Sequence, residues 1–480
     1  MAGPGLFDDC SLPDTFCEVA GRRSDPEVQR LFLRRLARQS RTVLDRRKAR
    51  TEEEMYNLGI TFTLYFGEET VDRVLPFDVI PRPITARDWS ALERGVVQRI
   101  TALNAFLHDI YHDRNILKDG VVPADLILEN PYYLEEMVGV TPPGGVYTHI
   151  CGTDMIRDAD GSFLVLEDNC RTPSGVSYVI ENRHLMMRSF PDLMENARVR
   201  PVSDYGLRLR EKLAECAPAQ VQDPSIVLLT PGVFNSAYFE HVFLAREMGV
   251  PLVEGRDLFV DENDEVFMRT VCGPEPVHVI YRRIDDAFLD PEVFREDSAL
   301  GVAGLMRAMK AGKLAIANAP GTGVADDKAV YAYMPDIIRY YLSEEPVVSN
   351  VKTYVCRRPE ECAYVLDHLD ELVVKPVGES GGYGIVVGPK ATRAEREAIG
   401  KAVKRNPANY IAQPMISLST APTLTREGVA PRHVDLRPFA VTGKDTFVLP
   451  GGLTRVAMKK GSIIVNSSQG GGSKDTWVLS

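Results

Sequence analysis

Apolar positions recur at three- and four-residue intervals in two early stretches of the chain. Over residues 90–111, Leu92, Val96, Ile100, Leu103, Leu107 and Ile110 fall on one helical stripe, which predicts a long helix packed on a core. Residues 27–50 place Leu31, Leu36, Val43 and Leu44 near the same spacing among many arginines, predicting a helix with a solvated face. Between them, residues 73–89 are apolar but carry Pro76, Pro81 and Pro83, so they cannot form a helix interior. Asp78 and Arg82 stand out inside that stretch, as a buried ion pair or as ligand contacts.

From residue 225 the period shortens. "SIVLLTPG" (225–232), a helix over 238–250 stopped by Gly249, "PLVEG", "VHVIYRR" (277–283), a helix over 301–312 closed by Gly312 and "LAIAN" (314–318) make a βαβ rhythm. They predict a small parallel-sheet domain over about 224–320. Over 326–420 a helix, "KAVYAYMPDIIRYYL", precedes the short strands "ELVVKPV", "GIVV" and "YIAQPMI". From 432 the pattern is antiparallel, with strands predicted in "HVDLRPFAV", "TFVLPGGLTRVAM" and "SIIVNSS".

Composition narrows the function classes. A chain of 480 residues, 44% apolar, fills more than one core. Fifty-six basic against 67 acidic residues, a net charge of −11, lack the footprint of a nucleic-acid binder. The eight cysteines contain no CxxC pair and read as reduced. With no signal-peptide pattern and no apolar run long enough to span a bilayer, a cytoplasmic setting is expected, without membrane or nucleic-acid partners.

The first chemical candidate is "CGTDMIRDADGSFLVLEDNCRTPSG" (151–175). Two strands joined by "DADG" bring Asp154 beside Glu167 and Asn169; residues i and i+2 share a strand face, so Asp168 points away. Three oxygen ligands on one face suit Mg²⁺. The plain alternative is an acidic surface hairpin. Against it, "FLVLE" predicts partial burial, and a buried carboxylate without a cation or donor is costly. Arg171 follows at once, and "TPSG" offers Ser174, Gly175 and backbone N–H groups to an oxyanion. The second candidate is "VVKPVGESGGYGIVVG" (373–388), a strand lysine before a glycine loop, which alone could be an ordinary hairpin.

"D…DGxxxxLExN…PSG" resembles the metal-binding end of the ATP-grasp ligases, and the other parts of that fold lie downstream. "ADDKAV" (325–330) resembles the segment carrying one phosphate-binding lysine, Lys328; "VVKPVGESGGYG" resembles the second lysine, Lys375, and a glycine flap with Gly378, Ser380, Gly381 and Gly382. "YIAQPMI" resembles the adenine hinge, with Gln413 and Met415 beside the base. "HVDLRPFAV", "GGLTRVAM" and "SIIVNSSQGGG" resemble the run carrying Asp435, Arg437, Arg455 and Asn466. In most ATP-grasp proteins the metal hairpin comes last; here it comes first. The chain is therefore identified as similar to the circularly permuted ATP-grasp family, type 2, often labelled glutathionylspermidine synthase-like.

The resemblance implies an α/β (α+β) fold: a permuted ATP-grasp with a preceding parallel-sheet substrate domain. Its expected parts are an N-terminal helical segment (1–60), helices with the metal hairpin (61–205), the α/β domain (206–320), a nucleotide-binding subdomain (321–425) and antiparallel strands completing the catalytic subdomain (426–480). Permutation further predicts that residues 432–480 join 144–175 in one antiparallel sheet. The implied cofactors are ATP and Mg²⁺. The implied reaction joins a small-molecule carboxylate to an amine through an acyl phosphate, in a monomer or homo-oligomer. Lys328, Lys375 and Asn466 would serve the nucleotide, Asp154, Glu167 and Asn169 the metal, and Arg437, Arg455 and Lys375 the chemistry. Arg171, Ser174, Gly175 and Arg82 would meet substrate. The hinge lacks an acid for the ribose, and no amidase-like Cys–His pair stands near the N-terminus. A kinase-like phosphotransferase and a non-catalytic nucleotide-binding protein are the competing readings.

Overall fold

Ser40 opens helix Arg41–Asn57 by accepting from the Val43 N–H, so the predicted 27–50 helix is interrupted at 38–40; the described residues 26, 28 and 36 before the break are also helical. The computed structural model describes residues 10, 12–19, 26, 28, 36, 38–66, 69–194, 198–377, 384–463, 465–466 and 470–480, without the side chains of 61–66 and 69–73. A hairpin of β1 (Thr61–Phe66) and β2 (Glu69–Val74) leads into β3 (Phe77–Ile84), whose residues are all buried. Thr85 then caps helix Ala86–Tyr111, and all six residues of the predicted stripe are buried. Next come the predicted hairpin, β4 (Ile150–Arg157) and β5 (Phe163–Asn169), and helix Val176–Ser189.

The βαβ rhythm holds. β6 (Ile226–Leu229), helix Tyr238–Met248 ending on Gly249 at φ 64°, and β7 (Leu252–Val253) follow in order. An antiparallel meander of β8 (Leu258–Val260), β9 (Val266–Thr270) and β10 (Gly273–Val277) intervenes before β11 (Val279–Arg282) and β12 (Ala315–Ala317). Strands β12-β11-β6-β7 form an all-parallel sheet. The meander escapes a pattern reading because β10 is largely exposed and carries Pro274 and Pro276.

The helix expected as one piece after 327 is two, Lys328–Ala332 and Met334–Leu342, since Pro335 fits only a helix's first turn. β13 (Ser349–Asn350) pairs with β5. The chain then crosses into a second sheet: β14 (Tyr354–Val355), β15 (Leu372–Pro376), β16 (Val386–Val387) and β17 (Tyr410–Pro414), in the order β14-β17-β15-β16. This sheet has its own small core, including Val365, Leu372, Val374, Val403 and Ala412.

The C-terminal strands depart from expectation. After the hairpin β18 (Thr420–Thr425) and β19 (Gly428–His433) come β20 (Phe439–Thr442), β21 (Thr446–Val448), β22 (Thr454–Val456) and β23 (Gly472–Val478). They do not share one antiparallel sheet with the metal hairpin. β20 and β21 extend β13-β5-β4, while β22 and β23 join β3, to which β23 runs parallel. β3 is an edge strand there, which is how it tolerates Pro81 and Pro83. The strand expected at 462–468 is not one at the described residues 462–463 and 465–466; its remaining positions lie outside the described residues. The strand is instead "GSKDTWV", all buried. Its charges hid it: buried Lys474 donates to the Asp78 carboxylate, the Ile80 carbonyl (2.9 Å) and the Pro422 carbonyl (2.8 Å). Asp475 accepts from Arg183 (2.8 Å) and Trp477 (2.6 Å). Single bridges Met155–Leu436 and Arg437–Leu453 tie the two sheets, so residues 435–437 run between them.

Candidate functional site

The β4–β5 register sets Asp154 opposite Glu167 and Gly152 opposite Asn169. Opposed residues share a face, so these side chains project together. Asp168 lies on the other face, where Arg99 donates to it at 2.6 and 3.2 Å within the core.

Asp154 is buried, and both its oxygens are engaged. Arg437 donates to each of them, at 2.8 Å from Nη2 to Oδ2, and Arg455 donates from Nη2 to Oδ2 at 2.6 Å. Arg455 is held on its other side by Asp435, whose oxygens accept from Nε at 2.9 and 3.0 Å. Arg455 takes Asp435, and Arg437 pairs with Asp154, the acid of β4. Burial opposes the charge on Asp154, but the two guanidinium groups outweigh it and hold its carboxyl well below the usual range.

Glu167 behaves in the opposite way. Burial and the charge of Asp154 push its carboxyl up, while Lys328, Arg437 and Lys375 pull against them. Among the described residues it has no hydrogen-bond partner. The Asn169 amide nitrogen donates to the Gly152 carbonyl at 3.0 Å, which leaves its oxygen for other use. No group of three or more His, Cys, Asp or Glu side chains among the described residues is arranged for a metal. The donors that fit Mg²⁺ are an unpaired carboxylate and an amide oxygen, and this ion completes its octahedron with water and phosphate.

Lys375 approaches from the second sheet. Leu372 and Val374 of β15 face the small core, so Val373 and Lys375 face the opposite way. Gln413 on β17 is opposite Val373 and shares that face. Lys375 Nζ donates to Gln413 Oε1 at 2.6 Å, and Gln413 Nε2 donates to Thr353 Oγ1 at 2.9 Å. Burial, with Lys328 adding to it and Glu167 opposing, lowers Lys375 from 10.5 to about 8. Lys328 opens helix Lys328–Ala332, capped by Asp327. The structure thus brings together Asp154, Glu167, Asn169, Lys328, Lys375, Gln413, Arg437 and Arg455. Met415 lies just beyond β17, 44% exposed. Asn466 lies in the loop before β23, its carbonyl accepting from the Gly471 N–H at 3.0 Å. Gly378, Ser380, Gly381 and Gly382 fall outside the described residues.

The expected substrate residues separate into two groups. Arg171 donates to Asp326 (2.9 Å) and Asp285 (3.2 Å) and stacks on Tyr132. Within the 172–175 turn the Gly175 N–H is not open to an anion as expected: Glu240 Oε2 accepts from it (2.7 Å), and also from the Ser177 N–H (3.1 Å) and Ser177 Oγ (2.9 Å). A chain carboxylate sits where the helix dipole favours negative charge. Ser174 Oγ accepts from Arg283, and its carbonyl accepts from Arg437 at 3.2 Å. Gly175 is at φ 116°, and a Cβ there would come within 2.9 Å of Leu453. Arg82, 1% exposed, is committed internally to Glu18 (2.7 and 3.0 Å) and the Asp435 carbonyl (2.9 Å).

Two residues at the site carried no separate sequence signal. Thr353 lies on the crossing from β13 to β14. Asp326 accepts from the Cys170 N–H and Arg171; burial lifts its carboxyl to about 6. The doubled acid of "ADDK" was the available clue, one member capping a helix and the other binding the metal hairpin's end.

The family description "circularly permuted ATP-grasp type 2" matches residues 81–457, which include every described residue of this cluster. The chain belongs to that family. This permuted ATP-grasp protein is 55% identical over 426 residues to an uncharacterized protein of Synechocystis sp., covering 88% of each chain. It is 43% identical over 468 residues to a Frankia casuarinae protein called "Putative glutamate--cysteine ligase 2-2", covering 97% of this chain and 54% of that one. A glutathione synthetase-like effector of Globodera pallida, solved in apo form, matches with TM-score 0.56 at 10% identity, covering 92% of this chain and 98% of that one. That likeness is one of fold. No helix among the described residues is long and apolar enough to cross a membrane.

Proposed function

We propose that this protein is an ATP- and Mg²⁺-dependent carboxylate–amine ligase working through an acyl phosphate. The observation that carries the proposal is the convergence on one face of two arginines clasping Asp154, an unpaired Glu167 opposite it, and two lysines from the neighbouring segments. A nucleotide-binding scaffold has no need of arginines fixed where a transferred phosphoryl would sit. The ligase name of the Frankia relative is consistent with this reading, but it belongs to a protein nearly twice as long.

The substrate carboxylate attacks the γ-phosphorus of ATP, and the bond to ADP breaks. Phosphoryl transfer of this kind is catalysed by positioning and charge neutralisation. Lys375 and Lys328 hold the nucleotide phosphates, with Gln413 fixing the Lys375 amine. Arg437 and Arg455 stabilise charge on the transferred group and on the tetrahedral acyl centre. Their orientation is set by Asp154 and Asp435, and Arg455 Nη1 keeps no partner among the described residues. Mg²⁺ would be held by Glu167 and Asn169, with Asp154 adding charge opposite, and would supply neutralisation of the phosphate oxygens. The amine then attacks the acyl carbon and phosphate leaves.

ATP, Mg²⁺, hydroxylamine and a panel of amino acids and short peptides test this directly. Acyl hydroxamate forms with the correct acid, and Glu167→Ala and Lys375→Ala each abolish ADP release. Unchanged turnover in both variants sinks the assignment; phosphorylation of a hydroxyl substrate with no hydroxamate turns it to the kinase reading.

A further inference from the structure

The parallel sheet has a topological switch point beside the proposed active site. Its order is β12-β11-β6-β7: the chain leaves β6 toward β7 and leaves β11 toward β12, on the other side. In such sheets a crevice opens outside the carboxyl ends of the two strands where the direction reverses, and ligands bind there. Here those ends are residues 230–236 after β6 and 283–286 after β11, held together by the Arg283 N–H donating to the Leu229 carbonyl at 2.8 Å.

The crevice abuts the catalytic hairpin. Arg283, 4% exposed, donates to the Pro173 carbonyl (2.7 Å) and to Glu240 (3.1 Å), and its Nε is buried without a partner. Asp285 binds Arg171. The loop after β6 is fastened at both ends: Thr230 accepts from the Gly232 N–H at 3.1 Å, and Glu240, just past the loop, binds the Gly175 turn. Between these anchors Val233 and Phe234 are 62% and 89% exposed, large apolar side chains on the loop at the carboxyl end of β6.

The charges indicate what is recognised. Arg171, Arg282 and Arg283 face four acids, Asp285, Asp286, Asp326 and Glu240, so one carboxylate is in excess. Asp285 has the most open of these side chains, 48% exposed. An acidic rim beside an apolar loop suits an ammonium group on an apolar body. We infer that this crevice is the acceptor subsite and takes a primary amine bearing an apolar side chain, as in an apolar amino acid or peptide N-terminus. Asp285 receives the ammonium, and Val233 and Phe234 receive the side chain. The inference rests on the ligase reading for its role. In the reaction the amine nitrogen bonds to the acyl carbon, the bond to phosphate breaks, phosphate leaves with the electron pair, and the ammonium gives up two protons, one of them to phosphate.

Calorimetric titration of the full chain, with Mg²⁺ and a non-hydrolysable ATP analogue present, tests the subsite without needing the acid substrate. The probes are L-leucinamide, N-acetyl-L-leucinamide, L-leucine and L-aspartate. Leucinamide is expected to bind, the acetylated form and aspartate not. Phe234→Ser and Asp285→Asn, both at exposed positions, each weaken leucinamide about tenfold, the loss of one apolar contact or one charge partner. Leucine matching leucinamide assigns free amino acids, and weaker leucine assigns peptide N-termini; either outcome supports the subsite. No binding of leucinamide, tighter binding of aspartate, or indifference to both substitutions overturns it. Hydroxamate formation read separately distinguishes failure of the subsite from failure of the ligase reading.

Discussion

Lys375, the proposed phosphate contact, offers a quantitative test, because its burial lowers it from 10.5 to about 8. In the nucleotide-free protein it is about 90% charged at pH 7 and largely neutral by pH 9.5. A bound phosphate restores the charge and returns the group toward its ordinary value. Affinity for MgADP is therefore expected to fall about 30-fold between pH 7 and 9.5, close to 2 kcal/mol at 1.4 kcal/mol per tenfold. Above pH 7 the nucleotide phosphates are already ionised, so they add little to this slope. The stability of the nucleotide-free protein moves the other way. A lysine whose folded value lies below its unfolded one destabilises the fold fully below about 8, and that cost fades as pH rises toward 10.5. Calorimetry in buffers of different ionisation enthalpy should show uptake approaching one proton per MgADP at pH 9. Lys375→Arg, always charged, should bind with a nearly flat profile. Flat wild-type affinity with no proton uptake would refute the reasoning.

Other perturbations have equally definite outcomes. Asp154→Asn leaves Arg437 and Arg455 without their shared anchor; ADP release should fall about 100-fold or more, and denaturant unfolding should show a loss of about 3–5 kcal/mol, as for a broken buried ion pair. Lys474→Met strands buried Asp78 and should destabilise by a similar ~3–5 kcal/mol, and the double variant with Asp78→Leu should recover most of that loss in denaturant unfolding. Truncation before residue 472 removes the central strand of β22-β23-β3 and should give protein with no cooperative unfolding transition. Gly175→Ala, forced to φ 116° against Leu453, should lower the thermal midpoint measurably and reduce kcat, because the turn's carbonyl orients Arg437.

How much was legible beforehand depended on whether the deciding interaction was local. The stripe from Leu92 to Ile110, the βαβ order over 225–318 and the two faces of β5 follow from side-chain period alone, and each is present in the structure. So is the separation of Glu167 and Asn169 from Asp168, since alternation in a strand needs no partner to define it. The order of the segments, hairpin before lysines, likewise identified the family before any contact was known. Other features needed the third dimension. "GSKDTWV" carries no strand alternation of its own, and its charges are paired only when Asp78 and Arg183 arrive from distant segments. The choice of Arg437 for Asp154 rather than Asp435, and the capture of the Gly175 turn by Glu240 rather than by an anion, are competitions among groups far apart in sequence. Sequence by itself determined which residues stand as candidates for the chemistry. Only the tertiary structure decided which charge each one meets, because an ion pair is fixed by distance and burial, and neither is a property of a residue's position in the chain.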